Sequence, residues 1–131
     1  MKEKLRELFN GDMFAKELGI IITEAEEGSA AATLTVTDKM LNGAGVANGG
    51  VVFTLIDFAL AAAANSVSNG LALTMNVNIN YCKPSLLGDT ITANAACLAQ
   101  SGKSTSCNVI ATDQNGDVVA VAHGTVYRKQ E

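Results

Sequence analysis

Asp57 is the one charged residue between Lys39 and Lys83, and its neighbours are Leu55, Ile56, Phe58 and Leu60. An ionised carboxylate among apolar side chains is costly unless it is paired, reaches water or has chemical work to do. Such a carboxylate suits a general base or a nucleophile. The plainer alternative is a helix residue facing water at a seam, yet the sequence around Asp57 shows no polar helix face for it to join. Asn48-Gly49-Gly50 is the second candidate. Asn48 is a good N-cap, because its side chain can accept from first-turn amides. A helix start carries free N–H groups and the positive end of the dipole, and glycine lets a ligand atom come close to them. That suits a carbonyl oxygen gaining negative charge during acyl transfer. A tight loop that needs glycine only for its turn explains the same three residues.

Spacing constrains how these groups cooperate. Gly50 and Asp57 are seven residues apart and share one helix face. Seven residues rise about 10.5 Å along the axis. One carbonyl therefore cannot touch both within a single subunit, whereas a twofold dimer can bring one subunit's Gly50 to the other's Asp57.

The remaining polar residues are open to two readings each. Asn42 can orient a water or a carbonyl, or simply hold its loop in an Asx turn. Thr74, Asn76, Asn78 and Asn80 form an uncharged strand face that borders a groove or a partner subunit. Lys83, Lys103, Arg128 and Lys129 are sparse positive charges near strand ends, suited to phosphate or to ordinary surface solvation. Cys82, Cys97 and Cys107 have no metal-type spacing and read as reduced thiols, although Cys97 and Cys107 can face each other across a hairpin. A disulfide is not expected there in a cytoplasmic protein. His123 is the single histidine and reads as structural, so neither a metal nor a redox cofactor is expected.

The elements that must position these groups follow from periodicity. Leu5, Leu8 and Phe9 mark a short helix over 3–9, ended by Asn10-Gly11, and Asp12 to Leu18 reads as a further helical turn. Ile20–Thr23 and Ala30–Thr37 read as strands around a polar turn. Leu41–Gly50 is a loop with four glycines, followed by a helix to Asn65 that is apolar all round and so expected to be buried on every side. Four strands follow, over Leu71–Tyr81, Thr90–Gln100, Lys103–Thr112 and Val118–Arg128. In the first, strict alternation predicts one face carrying Leu71, Leu73, Met75, Val77, Ile79 and Tyr81. Ser101-Gly102 and Asn115-Gly116 are hairpin turns. One apolar helix in a small domain must be wrapped by the sheet, which makes the expected fold an α+β hot-dog.

Composition sets the outer bounds. The 131 residues suit one domain spanning 1–131. With 48% hydrophobic and 17% charged residues, the chain is too apolar to be disordered. A net charge of −4 without a basic block argues against nucleic acid as a partner. The most apolar run, Val51–Ala64, is interrupted by Asp57 and falls short of the about 20 residues a bilayer needs. The N-terminal segment does not read as a signal peptide, so a soluble cytoplasmic protein without a membrane partner is expected.

Leu41-Asn42-Gly43, with Asn48-Gly49-Gly50 and then Asp57, resembles the signature of hot-dog acyl-CoA thioesterases of the phenylacetate-degradation, or PaaI-like, type. That family reads Asn-Gly, a gap, His-Gly-Gly, and an Asp seven positions after the second Gly. Tyr81-Cys82-Lys83-Pro84 with Gly88-Asp89-Thr90 resembles its aromatic-x-Arg-Pro and Gly-Asp turn, and Gly102-Lys103-Ser104 resembles its next hairpin. The resemblance implies hydrolysis of an acyl-CoA thioester without a cofactor. Asp57 would be the base or nucleophile, and Gly50 with Gly49 would polarise the carbonyl from the opposite subunit. Asn42 would position water or carbonyl. Phe53 and Thr74 would shape the acyl pocket, and Lys83, Lys103 and Ser104 would border the CoA moiety. The family forms homodimers that pair again as homotetramers.

Two departures from the family pattern matter. Asn48 stands where the family has His, so it can cap the helix and donate one hydrogen bond but cannot shuttle a proton. Lys83 replaces an Arg and lacks the planar fork that suits phosphate. Asn48 also favours the rival reading, a non-catalytic acyl-CoA-binding module on the same fold. A hot-dog hydratase is a further alternative, but it would need a histidine beside Asp57, and His123 could approach only through the tertiary fold.

Overall fold

The computed structural model describes residues 3–67 and 71–129. Two short helices open the chain, α1 (Glu3–Asn10) and α2 (Met13–Glu17), the latter capped by Asp12, whose Oδ1 accepts from the Ala15 amide at 3.0 Å. A hairpin of β1 (Ile21–Glu26) and β2 (Ser29–Thr35) follows, then a 3₁₀ turn at Asp38–Met40 and the long helix α3 (Gly49–Asn65). Four strands complete the fold: β3 (Leu71–Tyr81), β4 (Thr90–Ser101), β5 (Ser104–Thr112) and β6 (Val118–Lys129). They form one antiparallel sheet in the order β1-β2-β4-β5-β6-β3. Helix α3 lies against one face of this sheet, the hot-dog arrangement expected from its single apolar helix.

Small residues set how closely helix and sheet approach. Ala30, Ala32, Ala93, Ala95, Ala111 and Ala120 are buried on the sheet beneath a helix that buries Leu55, Ile56 and Leu60. Gly124 on β6 marks the tightest point. A Cβ there would sit 2.7 Å from Leu60 Cδ1 and 3.2 Å from the Asn76 carbonyl oxygen.

Two expectations need correction. Helix α3 is not buried on every side. Gly50 is exposed, and Phe53, Thr54, Asp57 and Ala61 are only partly buried, so they make a lengthwise stripe at helical spacing that the chain's own sheet leaves uncovered. A sheet wraps a helix from one side, and uniform apolarity of the sequence does not reveal which side stays open.

Strand β3 does not keep one parity either. Its register with β6 shifts between Thr74 and Asn76, the mark of a β-bulge. Before the bulge Ala72 and Thr74 turn inward, while Leu71, Leu73 and Met75 are exposed; after it Val77 and Ile79 are the inward pair. The clamp that selects the first parity is Asn65. Its Oδ1 accepts from the Ala72 amide at 2.9 Å, and its Nδ2 donates to the Ala72 carbonyl at 3.0 Å. At the other end of β3, the Tyr81 hydroxyl donates to the Gly49 carbonyl at 2.8 Å. Strand β3 thus runs antiparallel to α3, tied to it at both ends, and is the last strand of the sheet.

Candidate active site

The loop before α3 is held by its own asparagine. Asn42 Oδ1 accepts from the amides of Ala44 at 2.9 Å and Val46 at 3.2 Å, while its own amide donates to the Val46 carbonyl at 2.7 Å. Gly45 closes this turn at φ +83°, a backbone that L side chains rarely adopt. The Asx-turn reading of Asn42 is therefore the one the structure realises for its oxygen. The loop is fastened at its end by the Ala47 amide to the Ser85 carbonyl at 2.8 Å and the Asn48 amide to the Met40 carbonyl at 2.8 Å.

Asn48 then starts the helix. Its Oδ1 accepts from the Gly50 amide at 2.8 Å, as a capping residue should. The Gly50 N–H is consequently engaged by the cap, while the Gly49 N–H, at the first helical position, has no acceptor within the helix. Gly49 is packed against Tyr81; a Cβ at Gly49 would lie 3.2 Å from the ring and from the hydroxyl oxygen. Beside this helix start lies a cavity of about 320 Å³, lined by Gly49, Val52, Tyr81, Cys82, Ser85 and Val119 among others.

Asp57 lies two turns along, on the uncovered stripe with Gly50, Phe53 and Thr54. Among the described residues its carboxylate has no hydrogen-bond or ion-pair partner. Thr54, one turn before it, turns its hydroxyl back to the Gly50 carbonyl at 2.7 Å and so adds no second polar group to the stripe's chemistry. An unpaired carboxylate on an otherwise apolar stripe is open to a ligand arriving from outside the chain.

Of the other expected site residues, Lys83 also lines the cavity beside the helix start, whereas Thr74, Lys103 and Ser104 lie elsewhere in the chain. Thr74 lies inward on the opening half of β3, the half tied to the last residue of α3 rather than to its first. Lys103 lies in the β4–β5 turn and Ser104 opens β5; the Lys103 carbonyl accepts from the Arg128 amide at 2.7 Å, and Arg128 Nη2 in turn donates to the Ala64 carbonyl at 2.7 Å. That is the far end of α3, and its 17 residues span about 25 Å.

Lys83 is fully engaged within the chain. Its ammonium is 2.8 Å from Asp113 Oδ2 and 2.7 Å from Asp117 Oδ2. The hydrogen bond to Asp113, then that to Asp117, raises the lysine pKa above its ordinary value, and the Lys83 hydrogen bond holds the Asp113 carboxyl below its own. An incoming phosphate would have to compete with two carboxylates for one ammonium.

His123 is exposed, its Nδ1 2.8 Å from Asn108 Oδ1, while its neighbours Ala122 and Gly124 face the helix. It thus sits on the opposite side of the sheet from Asp57, and within the chain the acid–histidine pair that a hydratase would need is not formed. Two positioning residues are not singled out by the sequence: Tyr81 enters only through its place in the motif, and Ser85 not at all. Both lie more than 30 residues from the glycines or loop they hold, a separation no local pattern encodes.

The curved sheet around one long helix is the hot-dog arrangement. Residues 44–120 match the thioesterase superfamily, and the chain belongs to that family. It is 37% identical, over 92% of its length and 86% of the relative's, to the acyl-coenzyme A thioesterase PaaI of Escherichia coli strain K12. The solved structure of that E. coli PaaI superposes with a TM-score of 0.91 at 35% identity, covering 95% of this chain and 89% of the other. Two streptococcal structures align less closely. The smu.793 protein of Streptococcus mutans UA159, bound to acetyl CoA, gives a TM-score of 0.81 at 31% identity over 86% of this chain and 90% of the other. A hypothetical thioesterase protein of Streptococcus pneumoniae TIGR4 with coenzyme A gives 0.81 at 28% identity over the same shares. The PaaI-like family expected from the loop and helix is thus the one found. Among the described residues, no helix is long and apolar enough to cross a membrane.

Proposed function

We propose that this thioester hydrolase acts on acyl-CoA, using the Asp57 carboxylate of one subunit and the Gly49-Gly50 helix start of another. The observation that carries the proposal is the partnerless carboxylate on the open stripe that begins at those glycines. The E. coli relative is an acyl-CoA thioesterase, and the streptococcal relatives hold acetyl CoA or coenzyme A, which supports the choice of thioester. The thioester carbonyl oxygen would take hydrogen bonds from the Gly49 and Gly50 amides, with the Asn48 oxygen yielding or sharing the Gly50 N–H. Asp57 would take a proton from water as it adds to the carbonyl carbon. The tetrahedral oxyanion would then collapse, expelling CoA thiolate, which picks up that proton. The alternative route is direct attack by Asp57 and hydrolysis of the resulting anhydride. The amide Nδ2 of Asn42, whose oxygen is used by the loop, would orient water or carbonyl.

The two helices would meet in a homodimer. The open α3 stripe and the free edge of β3, with Leu73 59% and Met75 62% exposed, support such a pairing, and a dimer of dimers would extend it. Antiparallel association would also bring the far-end residues Thr74, Lys103 and Ser104 of one subunit toward the helix start of the other. Phe53 would line the acyl pocket at the seam. Function as one domain in the cytoplasm fits this reading.

The cap at Asn48 favours a second reading, a module that binds acyl-CoA without hydrolysing it, because the Gly50 amide is already engaged and no proton shuttle stands at that position. Free-thiol release from short, medium and aromatic acyl-CoAs separates the two. Release supports the hydrolase; saturable binding of the same esters without release supports the module.

A further inference from the structure

The inner face of the sheet carries a thiol pair that the candidate active site does not use. Cys97 on β4 and Cys107 on β5 are direct cross-strand partners, with sulfurs 3.3 Å apart and the Cys107 S–H donating to Cys97. Cys107 is fully buried and Cys97 half-buried, so the two thiols differ in access. Cross-strand neighbours lie about 4.5–5.5 Å apart at Cα, within the range a disulfide spans. Cys97 is held from the other side by its backbone N–H, which donates to the Gly28 carbonyl at 2.8 Å, under the β1–β2 turn.

Arg128 is the second observation. It is only 2% exposed, and its Nη2 donates to the Ala64 carbonyl. Among the described residues its Nε and Nη1 are buried without a partner, as is the Thr105 hydroxyl two residues before Cys107. No carboxylate pairs with this guanidinium among the described residues. A buried cation without an anion is costly. The groups whose ionisation its charge affects are Cys97 and Cys107.

We propose that Cys97 and Cys107 form a peroxide-responsive dithiol site, with Cys97 as the attacking thiolate, Cys107 as the resolving thiol and Arg128 as the counter-charge. The Cys107 hydrogen bond, aided by the Arg128 charge and opposed by burial, holds the Cys97 thiol below its usual range. The same hydrogen bond, together with burial, pushes Cys107 up and keeps its proton in place. The oxidant is hydrogen peroxide. The Cys97 thiolate attacks one peroxide oxygen, the O–O bond breaks, and hydroxide leaves to join the proton released when Cys97 ionised. The sulfenic acid at Cys97 is then attacked by the Cys107 sulfur, which forms the S–S bond and expels water carrying the Cys107 proton. In sum, two thiols are oxidised to a disulfide and one peroxide is reduced to two waters.

The test uses the full chain with Cys82→Ser, which removes the exposed thiol. After peroxide treatment the intact mass falls by about two daltons, the two thiol hydrogens. A peptide crosslinked between Cys97 and Cys107 is recovered, and dithiothreitol reverses both changes. In Cys107→Ser the sulfenic acid is trapped at Cys97 by dimedone. In Arg128→Met the oxidation rate near neutral pH falls about three- to fourfold for each unit that the thiol pKa rises, because the more basic thiolate is also the better nucleophile. Because Arg128→Met could misfold, the rate in the parent protein is also followed against pH, and it rises with thiolate at a midpoint below that of a free cysteine. Two thiols that stay alkylatable after peroxide, or dimedone trapped at Cys107 in a Cys97→Ser chain and not at Cys97 in the Cys107→Ser chain, would overturn the proposal.

Discussion

Replacing Asn48 by Asp separates the two jobs that residue holds. The Asn48 oxygen already accepts from the Gly50 amide at 2.8 Å, and an aspartate oxygen fits the same place. Aspartate caps as well as asparagine, and its charge adds about 0.3–1 kcal/mol against the helix dipole. That corresponds to a rise in Tm of about 1–4 °C for a chain of this size. Catalysis should move the other way. A thioester oxygen bound to the Gly50 N–H would lie about 4 Å from the new carboxylate, since both sit at hydrogen-bond distance from one nitrogen. As that oxygen gains negative charge, the repulsion is about 1 kcal/mol if water screens it fully and about 4 kcal/mol at a partly shielded surface site. The expected loss in kcat is then about 5-fold to 10³-fold. Thiol release and thermal melting on the same preparation read both effects. An Asn48→Asp protein that is at least as stable and loses activity in this range supports an oxyanion at the helix start. Unchanged kcat in a stable variant would refute it.

Other outcomes follow from the contacts. Gly49→Ala puts a Cβ 3.2 Å from the Tyr81 ring. Breaking the Tyr81 hydroxyl bond should cost about 1 kcal/mol, and Tyr81→Phe combined with Gly49→Ala should cost less than the sum of the two, measured by urea unfolding. Asn65→Ala leaves the Ala72 amide and carbonyl unpaired beside the core, so a loss of about 2–3 kcal/mol is expected. Asp113→Asn should lower stability at neutral pH and flatten its fall toward acid. The Asp113 pKa is lowered by Lys83 in the folded chain, so its stabilisation is present above about pH 4 and disappears as pH falls through the folded value. The parent and the variant should therefore differ in Tm at neutral pH and converge in acid.

The site's local parts were legible in the sequence because each is a short-range pattern. The side chains of Asn42 and Asn48 bond residues within four positions, and Asp57 stands out by being the one charge in a long uncharged run. The hairpin turns and the single apolar helix made the fold class readable for the same reason. What was not legible depends on distant partners. The parity of β3 is chosen by Asn65 acting across the α3–β3 connection, so perfect alternation in the sequence hid a bulge. The pairing of Lys83 with Asp113 and Asp117, some 30 residues away, is set by partners no local pattern encodes. The open stripe on α3 is apolar, apart from Thr54 and Asp57, like the helix faces the sheet buries, so composition alone could not tell a face covered by the chain's own sheet from one left for a second subunit.

The central claim is that Asp57 performs the hydrolysis, and the most direct measurement is thiol release from an acyl-CoA panel by the parent chain and by Asp57→Asn, with ester binding measured alongside. Asparagine keeps the shape and removes the base. The account predicts folded Asp57→Asn protein that still binds the ester while kcat falls by about 10²-fold or more. Turnover in Asp57→Asn within about twofold of the parent, a difference of only about 0.4 kcal/mol in the barrier, would contradict it.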